Sequence, residues 1–543
     1  MSNSKNFKTI VIRHRLRLFA LAVVWVLIMW GGNYALRDYW EPDEARFVYI
    51  AREMAASGDW IVPHRHNVPY ADKPPLMFWL INAGEAVFPK PIGSRLPSGI
   101  GVFLSLLGTY GIAKLWCGRR TALLSVIVLS SVWQFWDTGG MGQIDPLLLG
   151  LQMMSLYLLF SHDTANGGVW SILPAFVFMG LGALAKGPVG ILVPTGVCLL
   201  VKFYADRESA RIPAGQFVLG LLLAAAVPLT WVAICYFTGA PSDYLHELLF
   251  SQTFSRAAGN LGHQKPFFYY LYNLPISFLP WALFIPAAYK HLRKENPPLL
   301  DKLLVWSLFV VIFFSIPASK RNLYIMLALP AMSIAIAAGW EGIHGSRVCR
   351  RMALAILIGT AILFVGTALT KAFSSQIPFI KNNEATSFAL HNVPAWTFVI
   401  PMLVAAGGLA AMARLRRGNW PLAFALTVCM AYAAVGIFVL PAFNHMKTPE
   451  EIKPLADKYL PEGGRLLLYD IRGEILALNS GHMGTIADDD EEMQVAMAQQ
   501  GEGLAVFLEK QAGNLYERFS AIAETGEFRM GSKKYVWAAF RTL

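Results

Sequence analysis

Charge is scarce in this sequence. Only 15% of its 543 residues are Asp, Glu, Lys or Arg, where a soluble globular chain carries about 25%. With 55% of the chain hydrophobic, that shortage excludes an ordinary soluble fold and points to a membrane protein. Cysteine is sparse too. Cys117, Cys198, Cys235, Cys349 and Cys429 all lie in or beside apolar stretches, and the polar C-terminal tail has none. This excludes a disulfide framework and a CxxC metal pattern. A glycine-rich phosphate loop, internal repeats and low-complexity tracts are absent as well. The missing repeats weigh against a transporter built from inverted halves.

What the chain has in quantity is apolar runs. They fall near 18–36, 96–116, 121–138, 146–161, 169–185, 188–203, 215–236, 268–289, 303–317, 323–340, 352–370, 394–413 and 420–440. The predicted fold class is therefore mainly α and polytopic, with about thirteen membrane-spanning helices over residues 1–440 and a small α/β domain over 441–543. The first run follows Arg13, Arg15 and Arg17 and is expected to be a retained span rather than a secretory signal. Net charge is +11, but from Pro441 onward there are eleven Lys/Arg against sixteen Asp/Glu. The basic excess thus belongs to the membrane part and reads as the cytoplasmic-loop bias, not as nucleic-acid binding. Arg119/Arg120, Lys202/Arg207/Arg211, Arg293/Lys294, Arg347/Arg350/Arg351 and Arg414/Arg416/Arg417 alternate in phase with the basic N-terminus. That side is expected to be cytoplasmic, and an odd span count puts the tail outside.

The same parity gathers Asp43, Lys73, Asp145, Lys186, Arg256, His263, Lys320 and Arg321 on the outer side, although other residues set the topology. Outer chemistry disfavours a nucleotide-sugar or ATP and favours a lipid-linked activated substrate. The first outer loop, 37–95, is too long for a simple connection. Pro42 fits a helix start, with Phe47, Ile50, Ala51 and Met54 as its apolar stripe. A second helix is expected from Pro74/Pro75 through Ile81. Both would lie amphipathically at the membrane surface. A further outer loop, 237–267, reads as polar and mobile. In the tail, Arg465–Tyr469, Leu504–Leu508 and Lys534–Phe540 look like strands, and Asp488–Glu492 reads as a solvated helix start.

Each charged candidate has two readings. Asp43 and Glu44 are either a membrane-mouth site or first-turn acids, with Asp43 pairing with Arg46. Lys73 is either an anion-site cation before a helix N-terminus or a snorkelling side chain. Asp145 is either a site acid or the cap of the span beginning at Pro146. Arg256, Lys320, Arg321 and Tyr324 are donors suited to phosphate, or interfacial anchors. His263 divides between loop and site, and Lys186 reads as a snorkelling residue.

The motifs Glu41-Pro42-Asp43-Glu44-Ala45-Arg46, Ala51-Arg52-Glu53-Met54, Gly58-Asp59-Trp60-Ile61-Val62-Pro63-His64 and Tyr70-Ala71-Asp72-Lys73-Pro74-Pro75 resemble the first outer loop of polyprenyl-phosphate-sugar glycosyltransferases of the GT-C fold. Within that superfamily they are similar to the aminoarabinose transferases that modify lipid A. The likeness continues at Ala185-Lys186-Gly187, from His263 to Tyr270 and from Ser319 to Pro330. Where that branch carries Glu before the lysine, this chain has Asp72. The resemblance implies an undecaprenyl-phosphate-aminoarabinose donor, a lipid A phosphate acceptor, a periplasmic-face site in a bacterial inner membrane, and reduced binding of polymyxin-like cationic peptides. It implies Asp43 and Asp145 as catalytic residues, and Lys73, Arg46, Arg256 and Tyr324 on the donor phosphate. Further substrate contacts would be Glu44, Tyr70, His263, Lys320 and Arg321. The resemblance fixes no cofactor, and a divalent cation at Asp72 or His263 stays open. A protein O-mannosyltransferase and, from another class, a lipid-linked sugar flippase are the competing readings.

Overall fold

The computed structural model describes residues 2–162, 169–205, 212–248, 264–377, 393–415 and 419–542. Among them, eight helices are long and apolar enough to cross a membrane, or nine if a pair bent by 100° counts as one span. Of four shorter apolar helices, Trp170–Lys186, Val189–Ala205 and Asn322–Ala338 join them, and Leu76–Val87 lies in the first outer loop. The helix Ile92–Ser130 turns at Gly118, whose φ of 83° is left-handed, so two of the expected runs share it. Split there, these segments match the thirteen apolar runs. Two runs depart from a simple span. Residues 121–138 divide between a helix that ends at Ser130 and one that begins at Trp133. Residues 268–289 form Tyr269–Ser277 and Trp281–Glu295, angled at 100°, because Pro275 and Pro280 interrupt the backbone ladder.

The N-terminal helix α1 (Ser2–Leu36) leads into the first outer loop. Helix α2 (Asp43–Ser57) follows, with Pro42 just before it and Gly58, in the left-handed region, closing it. A two-stranded hairpin pairs β1 (His64–Arg65) with β2 (Val68–Pro69). Helix α3 (Leu76–Val87) starts after Pro75, as the two prolines predict. Both loop helices hold their apolar faces against the bundle: Phe47, Ile50, Ala51 and Met54 of α2 pack with Met77, Phe78 and Ile81 of α3.

Beyond them come α4 (Ile92–Ser130), α5 (Trp133–Gly139), α6 (Ile144–Ser161) and α7 (Val169–Lys186). Helices α4 and α6 cross at Gly101 and Gly150. A Cβ on Gly101 would sit 2.2 Å from the Pro146 carbonyl oxygen, and one on Gly150 would sit 2.4 Å from that of Gly101. Only glycine permits this approach. The crossing fixes the start of α6 and therefore Asp145.

The tail carries a five-stranded sheet in the order β4-β3-β5-β7-β6, from β3 (Leu466–Tyr469), β4 (Gly484–Ala487), β5 (Glu502–Leu508), β6 (Ile522–Met530) and β7 (Lys533–Arg541). Strand β3 runs parallel to β4 and β5, while β7 is antiparallel to β5 and β6. Asp489 caps the helix Asp490–Gln500 by accepting from the Glu492 N–H at 2.9 Å, which settles the acidic run as a helix start. The tail is docked on the first outer loop: Tyr49 exchanges hydrogen bonds with the Gly484 backbone, and Glu53 pairs with Arg465.

Candidate active site

Helix α2 opens with two acids that part company. A helix turns about 100° per residue, so neighbours in the first turn face different ways. Asp43 is 6% exposed and lies between two guanidinium groups, with Arg46 at 2.5 Å on one oxygen and Arg321 at 2.6 Å on the other. Burial raises its pKa, but the Arg321 bond and the charges of Arg321, Arg46 and Lys186 outweigh it. The net result is a carboxyl held below its ordinary range.

Glu44 turns the other way, into the protein. It is 1% exposed and receives Arg95 at 2.6 Å, Arg37 at 3.3 Å, and the backbone N–H groups of Trp40 and Gly142 at 3.0 and 2.8 Å. Burial alone would raise its carboxyl, yet these partners bring it down to about 2. Arg95 also donates to the carbonyls of Asn33, Tyr34, Arg37 and Asp38. With its oxygens engaged this way, Glu44 fixes the end of α1, the start of α2 and the link that leads to Asp145.

Asp145 sits in the first turn of α6 and pairs with Lys186, the last residue of α7. The Lys186 ammonium lies 5.0 Å from the Tyr324 ring centroid, and the charges of Lys186 and Asp145 reach Asp43 and Arg321 respectively. Asp43, Arg46, Asp145, Lys186, Arg321 and Tyr324 thus form one cluster drawn from four segments. Tyr70 borders it. Its hydroxyl and the Arg46 Nε are buried and have no hydrogen-bond partner among the described residues, and burial raises the phenol despite the nearby Arg46 charge. Two unfilled donors beside Asp43 are suited to an acceptor-rich ligand such as a phosphate.

Lys73 follows Tyr70 on the same stretch, its ammonium 2.8 Å from the Asp72 carbonyl. Lys320 turns elsewhere: it is 3% exposed and donates to the Pro317 and Lys265 carbonyls at 2.6 and 3.1 Å. That bond secures residue 265 beside Ser319, where Gln264 makes a bridge. Arg256 and His263 lie outside the described residues. Among the described residues no group of three or more His, Cys, Asp or Glu is arranged to hold a metal ion.

In the sequence Lys186 stood among the outer-side charges with a snorkelling reading beside it, Glu53 appeared only within a loop motif, and Arg37 and Arg95 had no role. The available signal for Arg95 was a lone charge at the head of the apolar run 96–116.

A multi-pass helical bundle with its ionic cluster at the mouth of the spans, beside a long helical outer loop, defines a GT-C membrane glycosyltransferase. Residues 72–231 match the family described as dolichyl-phosphate-mannose-protein mannosyltransferase. The crystal structure of ArnT from Cupriavidus metallidurans bound to undecaprenyl phosphate superposes with a TM-score of 0.74 at 21% identity, covering 96% of this chain and 97% of that one. An undecaprenyl phosphate-alpha-4-amino-4-deoxy-L-arabinose arabinosyl transferase of Sodalis glossinidius is 30% identical over 410 residues, 71% of this chain and 70% of that protein. One from Pseudomonas fluorescens is 25% identical over 536 residues, 94% and 90% respectively. The chain belongs to this arabinosyl transferase family.

Proposed function

We propose that the protein moves 4-amino-4-deoxy-L-arabinose from undecaprenyl phosphate to a phosphate of lipid A. The reaction would occur at the periplasmic face of a bacterial inner membrane, with the N-terminus cytoplasmic and the tail periplasmic. The observation that carries this reading is the double clamp on Asp43. A carboxylate that already accepts from two guanidinium groups is a weak proton acceptor, so the site suits an acceptor that needs no deprotonation.

A phosphate monoester is such an acceptor, since its second ionisation lies near pH 6. The sugar C1–O bond to undecaprenyl phosphate breaks, and a new C1–O bond forms to the lipid A phosphate oxygen. The donor diester becomes a monoester dianion while the acceptor becomes a diester, so charge balances with no proton moved. The transition state carries oxocarbenium character, which the ionised Asp43 stabilises while it orients Arg46 and Arg321. Lys73, Arg256 and Tyr324 receive the charge growing on the leaving phosphate. Asp145, held by Lys186, faces the sugar and its amine. A capped phosphate bears less negative charge and attracts cationic peptides less. The acceptor hydroxyl of an O-mannosyl transfer would need a free base where Asp43 is clamped.

Acceptor discrimination tests this. Purified protein given the donor should modify lipid A and leave enzymatically dephosphorylated lipid A unmodified; equal transfer to both would overturn the phosphate-acceptor reading.

A further inference from the structure

Glu53 lies in the third turn of α2, is 3% exposed and stands apart from the ionic cluster. One oxygen accepts from the His66 N–H at 2.8 Å; the other accepts from the Asn67 N–H at 2.9 Å and from Arg465 at 3.1 Å. His66 and Asn67 form the corner of the β1–β2 hairpin, with φ values of 56° and 66°. Two successive left-handed residues that are not glycine are unfavourable by themselves, and the carboxylate binds both of their N–H groups. The strand then returns, the Tyr70 N–H meets the Pro63 carbonyl at 2.7 Å, and the chain runs straight on to Asp72 and Lys73. The same helix that holds this corner carries Asp43 and Arg46 at its other end.

The tail meets the same node. Arg465 also donates to the Gly484 carbonyl at 2.7 Å. The His66 ring stacks on Tyr49 with centroids 4.5 Å apart, and Arg65 pairs with Glu474. We propose that Glu53 is a positioning residue that sets the Tyr70–Lys73 segment relative to Asp43, and that the C-terminal domain acts on the site through it. The effect on turnover rests on the function proposed above; the effect on the hairpin does not.

The test uses full-length Glu53→Gln and Arg465→Met proteins, with the undecaprenyl-linked donor and lipid A as substrates. Gln keeps one acceptor oxygen and points an NH2 at the remaining donors. Loss of a charge-assisted hydrogen bond predicts a donor KM raised about tenfold in Glu53→Gln, with kcat changed less. Arg465→Met keeps the hairpin bonds and should raise KM a few-fold. It carries the kinetic test if Glu53→Gln does not fold. Amide hydrogen exchange at 64–70 should quicken in Glu53→Gln, a readout that needs no turnover. Unchanged donor KM in the folded variants, or unchanged exchange across the hairpin, would overturn the proposal. A wild-type protein that transfers nothing while hairpin exchange quickens in Glu53→Gln would refute the functional reading and leave the positioning role standing.

Discussion

Replacing Glu44 by Gln separates the two neighbouring acids. The side chain keeps its shape and loses the charge that neutralises Arg95 and Arg37, which are 0% and 1% exposed. Breaking a buried ion pair by removing one partner costs about 3–5 kcal/mol. With an unfolding entropy of about 2.1 cal/mol/K per residue, a chain of 543 residues converts that loss to a melting-temperature drop of about 3–4 °C. Asp43→Asn should leave melting within about a degree, because Arg321 and Arg46 are partly exposed and solvent screens their lost partner. Tryptophan fluorescence during a thermal ramp in detergent measures both variants. A pH series adds a second check. The Glu44 carboxyl titrates at about 2 in the folded protein and at about 4.3 unfolded. Its contribution is therefore full above about pH 4.3 and fades as pH falls toward 2. Glu44→Gln should flatten that part of the stability curve. Unaltered melting together with abolished transfer would refute this reasoning and return Glu44 to direct substrate contact.

The remaining predictions concern turnover. Lys186→Met strips Asp145 of its partner and should lower kcat/KM roughly a hundredfold, the scale for losing one fixed charge at a reacting centre; a loss under threefold in steady-state assays would contradict its place in the cluster. Tyr324→Phe keeps the ring under Lys186 and removes only the hydroxyl, so its loss should be smaller than that of Lys186→Met in the same assay. Because the Asp43 carboxyl is held below its ordinary range, it is already ionised at pH 5. The rise of kcat/KM with pH should follow acceptor phosphate ionisation near pH 6 and should keep its midpoint in Asp43→Glu. A midpoint that moves with that substitution would make Asp43 the proton acceptor.

The spans were legible because apolar runs report burial in lipid directly, and the loop helices because Pro42 and Pro75 mark their starts. Gly118 and Pro280 set bends whose angles no local pattern gives. Strands β4 and β6 escaped notice because Gly484–Ala487 offers Ile486 as its one large apolar side chain, where the equally short Leu466–Tyr469 has four, and Ile522–Met530 includes Glu524, Gly526, Glu527 and Arg529. At the site, Asp43 and Glu44 are chemically alike and adjacent. What separates them is Arg95, 51 residues from Glu44, and Arg321, 278 residues from Asp43. The Glu53–Arg465 contact joins residues 412 positions apart. Lys320 was a plausible anion donor by type, and only the fold shows it spent on two backbone carbonyls.

Transfer of aminoarabinose to lipid A through Asp43 can be read in cells that make the undecaprenyl-linked donor but lack their own transferase, by expressing the protein there and weighing lipid A by mass spectrometry. The wild-type chain should leave an aminoarabinose adduct on lipid A, and equally expressed, folded Asp43→Asn should leave none. Unmodified lipid A beside an accumulated donor, or full modification by Asp43→Asn, would contradict this reading.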